Sequence, residues 1–268
     1  MSRPLVMGVV NVTPDSFSDG GRFLDPGAAL SHARQLIADG ADILDIGGES
    51  TRPGADPVTE AEEIERVAPV IAGVCARWGG PISVDTMKPS VARAAVAAGA
   101  TMWNDVTALR WSEESLPTAA ELGCEVVLMH MLGEPRTMQD NPRYDDVVAE
   151  VTAFLADRAQ AALDAGVARE KVWLDPGIGF GKTLDHNLAL LANLAAIIEL
   201  GFPVLLGASR KRFIAALDPD AGDNRLGGSL AAALTGAAAG VAAVRVHDVR
   251  ETVQALSVQA AITVQSED

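Results

Sequence analysis

Positive charge, cysteine and aromatic side chains are all scarce in this chain, and each shortage removes a class of function. Lysine and arginine number 21 against 36 aspartates and glutamates, a formal charge of -15 over 268 residues. That balance opposes nonspecific binding to nucleic acid or to an anionic membrane, and it requires any anionic substrate to meet a locally basic site. The two cysteines, Cys75 and Cys124, lie in apolar stretches. They are too few for a disulfide framework or a cysteine metal site, and they read as small buried hydrophobes in a reduced cytoplasm. Aromatics make up only 4% while hydrophobic residues reach 49%, mostly Ala, Val, Leu and Ile, which favours tightly packed helices on an aliphatic sheet.

Two phosphate-binding signatures are also missing. A P-loop needs glycine six residues before the lysine of Gly181-Lys182-Thr183, and that position is Pro176. The glycines at 177, 179 and 181 fall one residue short of the dinucleotide fingerprint, with no acidic partner in a clear βαβ context. No signal peptide is expected, because Met-Ser-Arg-Pro passes at once into strand-like sequence. The uncharged run Leu226 to Val244 raises a membrane question, but it is rich in Ala and Gly and broken at Gly240; a buried helix followed by a strand is expected there.

What is present is an alternation of short apolar runs and helical periodicity. Predicted strands are Leu5–Val10, Asp42–Ile46, Ile82–Val84, Thr101–Trp103, Glu125–Met129, Val172–Leu174, Phe202–Leu206 and Val241–Val246. Predicted helices are Pro26–Ala38, Thr59–Trp78 with a Thr59/Glu62 capping pattern, Pro89–Ala98, Leu116–Leu122, Asp145–Ala165, Asp185–Leu200, Gly227–Ala239 and Val249–Val264. The strands are continuous apolar runs, as expected when helices cover a parallel sheet. Eight such repeats in 268 residues, undivided by any linker, predict one α/β domain over 1–268, a (β/α)8 TIM barrel of parallel strands with its active site at the C-terminal rim. A doubly wound open sheet is the alternative, but its glycine loop is absent.

Each apolar run ends in a polar residue: Asn11, Asp45, Asp85, Asn104, His130, Asp175, then Ser209 with Lys211, and Arg245 with His247. One such residue is usually a helix cap; eight sharing a barrel rim make a site. Asp85, Asn104 and Asp175 supply acceptors deep in the barrel, and a carboxylate suits a ring N–H beside an exocyclic amine. Lys211 supplies a donor for a ring carbonyl or nitrogen. Arg245 can lie flat on a π-system while its edge reaches an anion. Arg52, Arg245 and His247 add donors nearer the rim, and His247 stands where a helix begins. The expected ligand is an aminated oxo-heterocycle with an anionic tail.

Several segments carry a resemblance. Asn11-Val-Thr-Pro-Asp-Ser-Phe-Ser-Asp-Gly-Gly21 and Asp45-Ile-Gly-Gly-Glu-Ser-Thr-Arg-Pro-Gly54 resemble the two signature segments of the dihydropteroate synthases. Met129-His-Met131, Pro135-Arg-Thr-Met138, Asp175-Pro-Gly-Ile-Gly-Phe-Gly181, Ser209-Arg-Lys211 and Arg245-Val-His247 resemble the later ones in order and spacing. The resemblance spans essentially the whole chain. It implies a TIM barrel that condenses 6-hydroxymethyl-7,8-dihydropterin diphosphate with p-aminobenzoate. By that resemblance Asp85, Asn104, Asp175 and Lys211 hold the pterin, Arg245 stacks on it, and Met129, Phe180 and Gly207 complete the lining. Asn11, Arg245 and His247 hold the diphosphate, with Mg²⁺ near Asn11. Thr51, Arg52, Pro53, Phe17 and Ser209 form the aminobenzoate pocket, and Asp19 stabilises a carbocation formed when diphosphate leaves. A homodimer, sulfonamide inhibition and a cytoplasmic setting are further expectations from the family.

Two other functions compete. A methyltetrahydrofolate-dependent methyltransferase shares the pterin pocket, but the segments 11–21 and 51–54 argue against it. A non-catalytic pterin-binding paralogue is the other, although no signature residue is missing. Individual residues also have structural readings: Asp45 fixing its own loop, Asp15 in an Asx-turn, Lys182 and His186 as solvated helix-start residues, His32 on the surface, Trp103 and Trp173 in the core. His130 is not assigned as a base.

Overall fold

The computed structural model describes residues 3–13, 26–50, 57–133 and 137–266. Eight strands form one sheet: β1 Leu5–Asn11, β2 Ile43–Gly47, β3 Ile82–Asp85, β4 Met102–Asp105, β5 Glu125–Met129, β6 Val172–Asp175, β7 Leu205–Leu206 and β8 Ala243–Val246. Their order is β6-β5-β4-β3-β2-β1-β8-β7, every pairing parallel. A parallel bridge from Leu174 to Val204, beside β7, brings the two ends of the sheet together into a barrel. The outer helices are α1 Pro26–Ala38, α2 Glu60–Cys75, α3 Pro89–Ala97, α4 Ser115–Leu122, α5 Val147–Asp164, α6 Leu184–Ala192, α7 Ala195–Ile198, α8 Arg212–Leu217, α9 Leu226–Ala239 and α10 Val249–Ser266.

Strand side chains alternate between two faces, and partners in register share a face. One set runs through Val6, Val10, Leu44, Ile46, Val84, Trp103, Val126, Leu128, Leu174, Leu206 and Val244; it packs outward under the helices in the main core. The other set points into the barrel. Its lower members, Met7, Ile43, Met102, Val127, Trp173, Leu205 and Ala243, form a separate apolar cluster. Two residues further along the same strands stand Asp45, Asn104, Met129, Asp175, Gly207 and Arg245. The barrel therefore has an apolar floor and a polar upper storey.

Caps set the helix starts. The Thr59 hydroxyl accepts from the Glu62 N–H at 3.3 Å, while the Glu62 carboxylate turns to Arg66 instead of back to the cap. Asp146 accepts from the N–H groups of Val148 and Ala149.

Several expectations need correcting. The helix expected over 185–200 is two, because Asn193 leaves helical geometry and its side chain donates to the Ala189 carbonyl at 2.8 Å. The strand expected over 202–206 shrinks to Leu205–Leu206, since Pro203 has no N–H for the ladder. The short helix Arg212–Leu217 was not expected. Cys124 is buried but Cys75, at the end of α2, is exposed. Trp103 and Trp173 are core residues as expected. His32 is half-buried rather than on the surface, with Nε2 3.3 Å from the Val9 carbonyl oxygen. Among the described residues no helix is long and apolar enough to cross a membrane.

Candidate active site

Register places the expected site residues at one end of the barrel. Asn11 pairs with Gly47, Gly47 with Asp85, Asp85 with Asn104, and Met129 with Asp175. These are the C-terminal ends of strands, where barrel enzymes build their sites. Gly47 and Gly207 keep the mouth open: a Cβ on Gly47 would lie 3.3 Å from the Asp85 Cβ, and one on Gly207 would lie 3.6 Å from Asp175 Oδ2.

Arg245 is the centre of the arrangement. Its Nε donates to Asp45 Oδ2 and its Nη2 to Asp85 Oδ2, both at 2.6 Å. Asn104 donates to the same Asp45 oxygen at 3.1 Å. Asp45 is fully buried, so its role is not to fix its own loop but to fix the guanidinium plane across the barrel. Burial opposes the charge of Arg245, yet Asp45 and Asp85 outweigh it and hold its pKa above the ordinary value. Two edges of the guanidinium are thus committed to carboxylates, and its grip on an anion is narrower than expected, whereas the orientation that suits stacking is fixed.

Acceptors remain for a ligand. Asp45 Oδ1 and Asp85 Oδ1 are buried and have no hydrogen-bond partner among the described residues. Such atoms are costly unless a bound group satisfies them. Asp175 accepts from the Gly177 N–H at 2.7 Å through Oδ1. Burial raises the pKa of both Asp85 and Asp175, against the pull of Arg245 and Lys211. Lys211 Nζ lies 4.0 Å from the centre of the Phe180 ring.

At the rim the His247 N–H donates to Ser209 Oγ at 3.2 Å, and Ser209 Oγ lies 3.1 Å from His247 Nδ1. Ser209 Oγ thus bridges the His247 backbone N–H and ring Nδ1, which fixes the ring with Nε2 on its far edge. Burial and the neighbouring Arg245 push the His247 pKa down to about 3, so the ring is neutral. Asn11 is half-buried at the end of β1. Phe17, Asp19, Thr51, Arg52 and Pro53 lie outside the described residues, as does Asp15.

Three features escaped the sequence reading. The role of Asp45 is one: it was named at the rim but read as fixing its own loop, and its phase with inward Ile43 was the signal that points it into the barrel. Lys182 is buried, not solvated: its Nζ contacts the carbonyls of Gly177 and Phe180 and the ring of His130. His186, by contrast, does sit at a helix start, in a capping box with Thr183. Lys88 is also buried and meets Glu49 at 2.8 Å, Glu63 at 2.6 Å and the Val58 carbonyl at 2.6 Å. Glu49 in turn accepts from the Val58 N–H at 3.1 Å. One ammonium thereby ties Glu49 and Val58, the two flanks of segment 51–56, to α2.

A barrel mouth that gathers buried carboxylates, an asparagine, a lysine and a clamped arginine at its strand ends defines a protein for a flat, amine-bearing heterocycle. The family model described as pterin binding enzyme matches residues 7–247, and the chain belongs to that family. The dihydropteroate synthase of Escherichia coli K12 is 49% identical over 258 residues, 96% of this chain and 91% of that protein. The Xanthomonas albilineans dihydropteroate synthase solved with 4-aminobenzoic acid aligns with a TM-score of 0.92 and 53% identity, covering 97% of this chain and 93% of that one. The Yersinia pestis dihydropteroate synthase solved with a sulfonamide drug aligns with a TM-score of 0.92 and 43% identity, covering 98% and 95%.

Proposed function

We propose that this chain, acting as one barrel domain, condenses 6-hydroxymethyl-7,8-dihydropterin diphosphate with p-aminobenzoate to give 7,8-dihydropteroate and diphosphate, a transferase step of folate biosynthesis. The observation that carries the reading is the Asp45–Arg245–Asp85 clamp with two unpartnered carboxylate oxygens beside it, in a chain 49% identical to a named synthase.

In this reading Asp85, Asn104 and Asp175 accept the pterin's ring N–H and amine, Lys211 donates to its ring acceptor, and Arg245 stacks on its face. Met129, Phe180 and Gly207 line the pocket. Asn11 and His247 Nε2 meet the diphosphate, and Lys211 and Arg245 supply the positive field into which it leaves. Departure of diphosphate leaves a cation at the exocyclic carbon, spread over the electron-rich pterin. Asp19 is assigned to stabilise it. The arylamine attacks that carbon and needs placement more than activation, which is the work assigned to Phe17, Thr51, Arg52, Pro53 and Ser209. His130 has no part as a base: burial, with Lys182 beside it, holds its pKa down to about 3.

The residues present fit Mg²⁺ held in one way. Among the described residues no group of three His, Cys, Asp or Glu gathers to form a cage. The Asn11 carboxamide is a hard oxygen donor at the rim, and the remaining ligands would be diphosphate and water, as suits this ion. When bound, Mg²⁺ neutralises charge on the leaving group. Sulfonamides, as aminobenzoate mimics, occupy the second pocket. A cytoplasmic homodimer completes the proposal; Val258 and Ile262 on α10 are exposed apolar residues suited to a subunit contact, and light scattering measures the mass.

The test is a diphosphate-release assay with each substrate alone and both together, with and without a chelator. Release that requires both substrates and falls on chelation supports the proposal. Pterin binding with no release supports the non-catalytic paralogue, and methyl transfer from methyltetrahydrofolate supports the methyltransferase.

A further inference from the structure

The loop after β6 is held open by its carbonyls. Gly177, Gly179 and Gly181 take φ of 65°, 83° and 62°, a left-handed region open to glycine. A Cβ on Gly177 would lie 1.9 Å from the His130 carbonyl oxygen, so no other residue fits there. Alternate positive φ values turn successive peptide carbonyls away from one another; within the loop the Gly177 carbonyl accepts from the Phe180 N–H at 3.1 Å. Side chains donate to all four carbonyls of the loop that face them. Lys182 Nζ donates to Gly177 O at 2.9 Å and to Phe180 O at 3.0 Å. Gln139 takes Gly179 O at 2.6 Å, and the Tyr144 hydroxyl takes Gly181 O at 2.8 Å. Lys182 Nζ also reaches His130 Nδ1 at 3.0 Å and His130 O at 3.3 Å, which fastens the loop to the end of β5.

Lys182 is only 3% exposed, and no carboxylate touches it. A buried ammonium without a contacting anion is expensive. An apolar side chain would fill the same volume without that cost, so a purely packing role does not account for it. What the ammonium does that an apolar chain cannot is fix two peptide groups on either side of the ligand-facing residues. Gly177 N–H holds the Asp175 carboxylate, and Phe180 carries the ring beneath Lys211.

We infer that Lys182 is a positioning residue for pterin recognition: its ammonium sets the loop that aims Asp175 and seats Phe180 against Lys211. The inference rests on the pterin reading of the site. Burial lowers the Lys182 pKa to about 7, with Asp175 on β6 raising it and Lys211 at the start of α8 lowering it. His130 on β5, whose own pKa lies at about 3, is neutral and accepts from it. Tyr144, whose ring centroid is 6.0 Å from that of His130, and Arg110, which acts on His130, complete the surrounding titratable and charged groups. Protonated, Lys182 has three N–H groups for four acceptors; deprotonated, it has two. Loss of the Lys182 proton therefore weakens pterin affinity, against the gain from Asp85, whose pKa burial raises to about 7 and whose ionisation favours the pterin amine; the Lys182 part is what separates wild type from its Lys182 variants.

The experiment compares wild type, Lys182→Met and Lys182→Arg by calorimetry with a pterin and by steady-state kinetics. The methionine variant is expected to raise the pterin Kd and the KM for the pterin diphosphate about tenfold or more, the scale of lost charged hydrogen bonds. Its aminobenzoate KM and kcat stay within about threefold, its pterin affinity between about pH 6 and 8 loses the component that falls with rising pH, and arginine restores part of the affinity. A methionine variant with wild-type pterin Kd, or one whose two KM values rise equally with its loss of thermal stability, overturns the inference. Should methionine not fold, a Lys182→Arg variant, which stays charged throughout, with the same pH dependence of pterin affinity as wild type overturns it. A wild-type protein that binds no pterin overturns the functional reading instead, which separates the two failures.

Discussion

Replacing Lys88 by methionine should cost more stability than any surface change, and the cost should depend on pH. Lys88 is buried between Glu49 and Glu63, with contacts of 2.8 and 2.6 Å and a third to the Val58 carbonyl. Burial opposes its charge, but hydrogen bonds to Glu49 and Glu63 raise its pKa above 10.5, so it is ionised across the neutral range. Removing one partner of a buried pair leaves the other charge uncompensated, at about 3–5 kcal/mol. For a chain of this size that is a fall in Tm of about 6–20 °C. Glu63 sets the pH dependence. Its folded pKa is raised above 4.5 by burial, and Lys88 restrains the rise. A carboxyl with a raised folded pKa binds more protons folded than unfolded, so its contribution to stability falls as pH rises from its unfolded value to its folded one. Without Lys88 the folded value climbs further. The Lys88→Met loss should therefore be largest at about pH 8 and shrink toward about pH 5, and adding Glu63→Gln should recover part of it. Urea titrations of both variants across pH measure this. A loss under about 1 kcal/mol, or one that does not change with pH, refutes the reasoning.

Three further outcomes follow. Asp175→Asn turns an acceptor toward a donor and should weaken pterin binding by about 1.5–3 kcal/mol, read by calorimetry; unchanged affinity removes Asp175 from the site. Ser209→Ala, or a change at Pro53, should shift sulfonamide inhibition more than pterin binding, and equal effects on both ligands count against the second pocket. Buried His130 has a folded pKa near 3, below the unfolded value of 6.5, so its contribution is intact above about pH 6.5 and is lost as pH falls toward 3. By about pH 5 the loss is roughly 2 kcal/mol, and acid denaturation of His130→Asn should lack that component.

The barrel and the membership of its mouth were readable because apolar strand runs stop at polar residues, and the stops of parallel strands share a rim. Asp85, Asn104 and Asp175 were found that way. Asp45 was placed at the rim with them but read as fixing its own loop, because outward Leu44 and Ile46 keep its run apolar; only the two-residue phase with Ile43 points it into the barrel. Lys182 was misread because a lysine after glycines and before a helix start has the local pattern of a solvated residue. Its burial is decided by His130, 52 residues earlier. The partners of Lys88 lie 25 and 39 residues away, on α2 and beyond β2, beyond the reach of any local pattern. The break at Asn193 and the shortening of β7 at Pro203 follow from side-chain chemistry visible in the sequence, but helical and strand periodicity masked it.

The clamp on Arg245 joins the last strand to residues 200 and 160 positions before it. While the polypeptide leaves the ribosome, both aspartates are made long before the cation that neutralises them. A nascent chain halted ahead of residue 245 would lack the cation that both carboxylates share. The ring closes only when the last strand arrives, because β8 is the one that pairs with both β1 and β7.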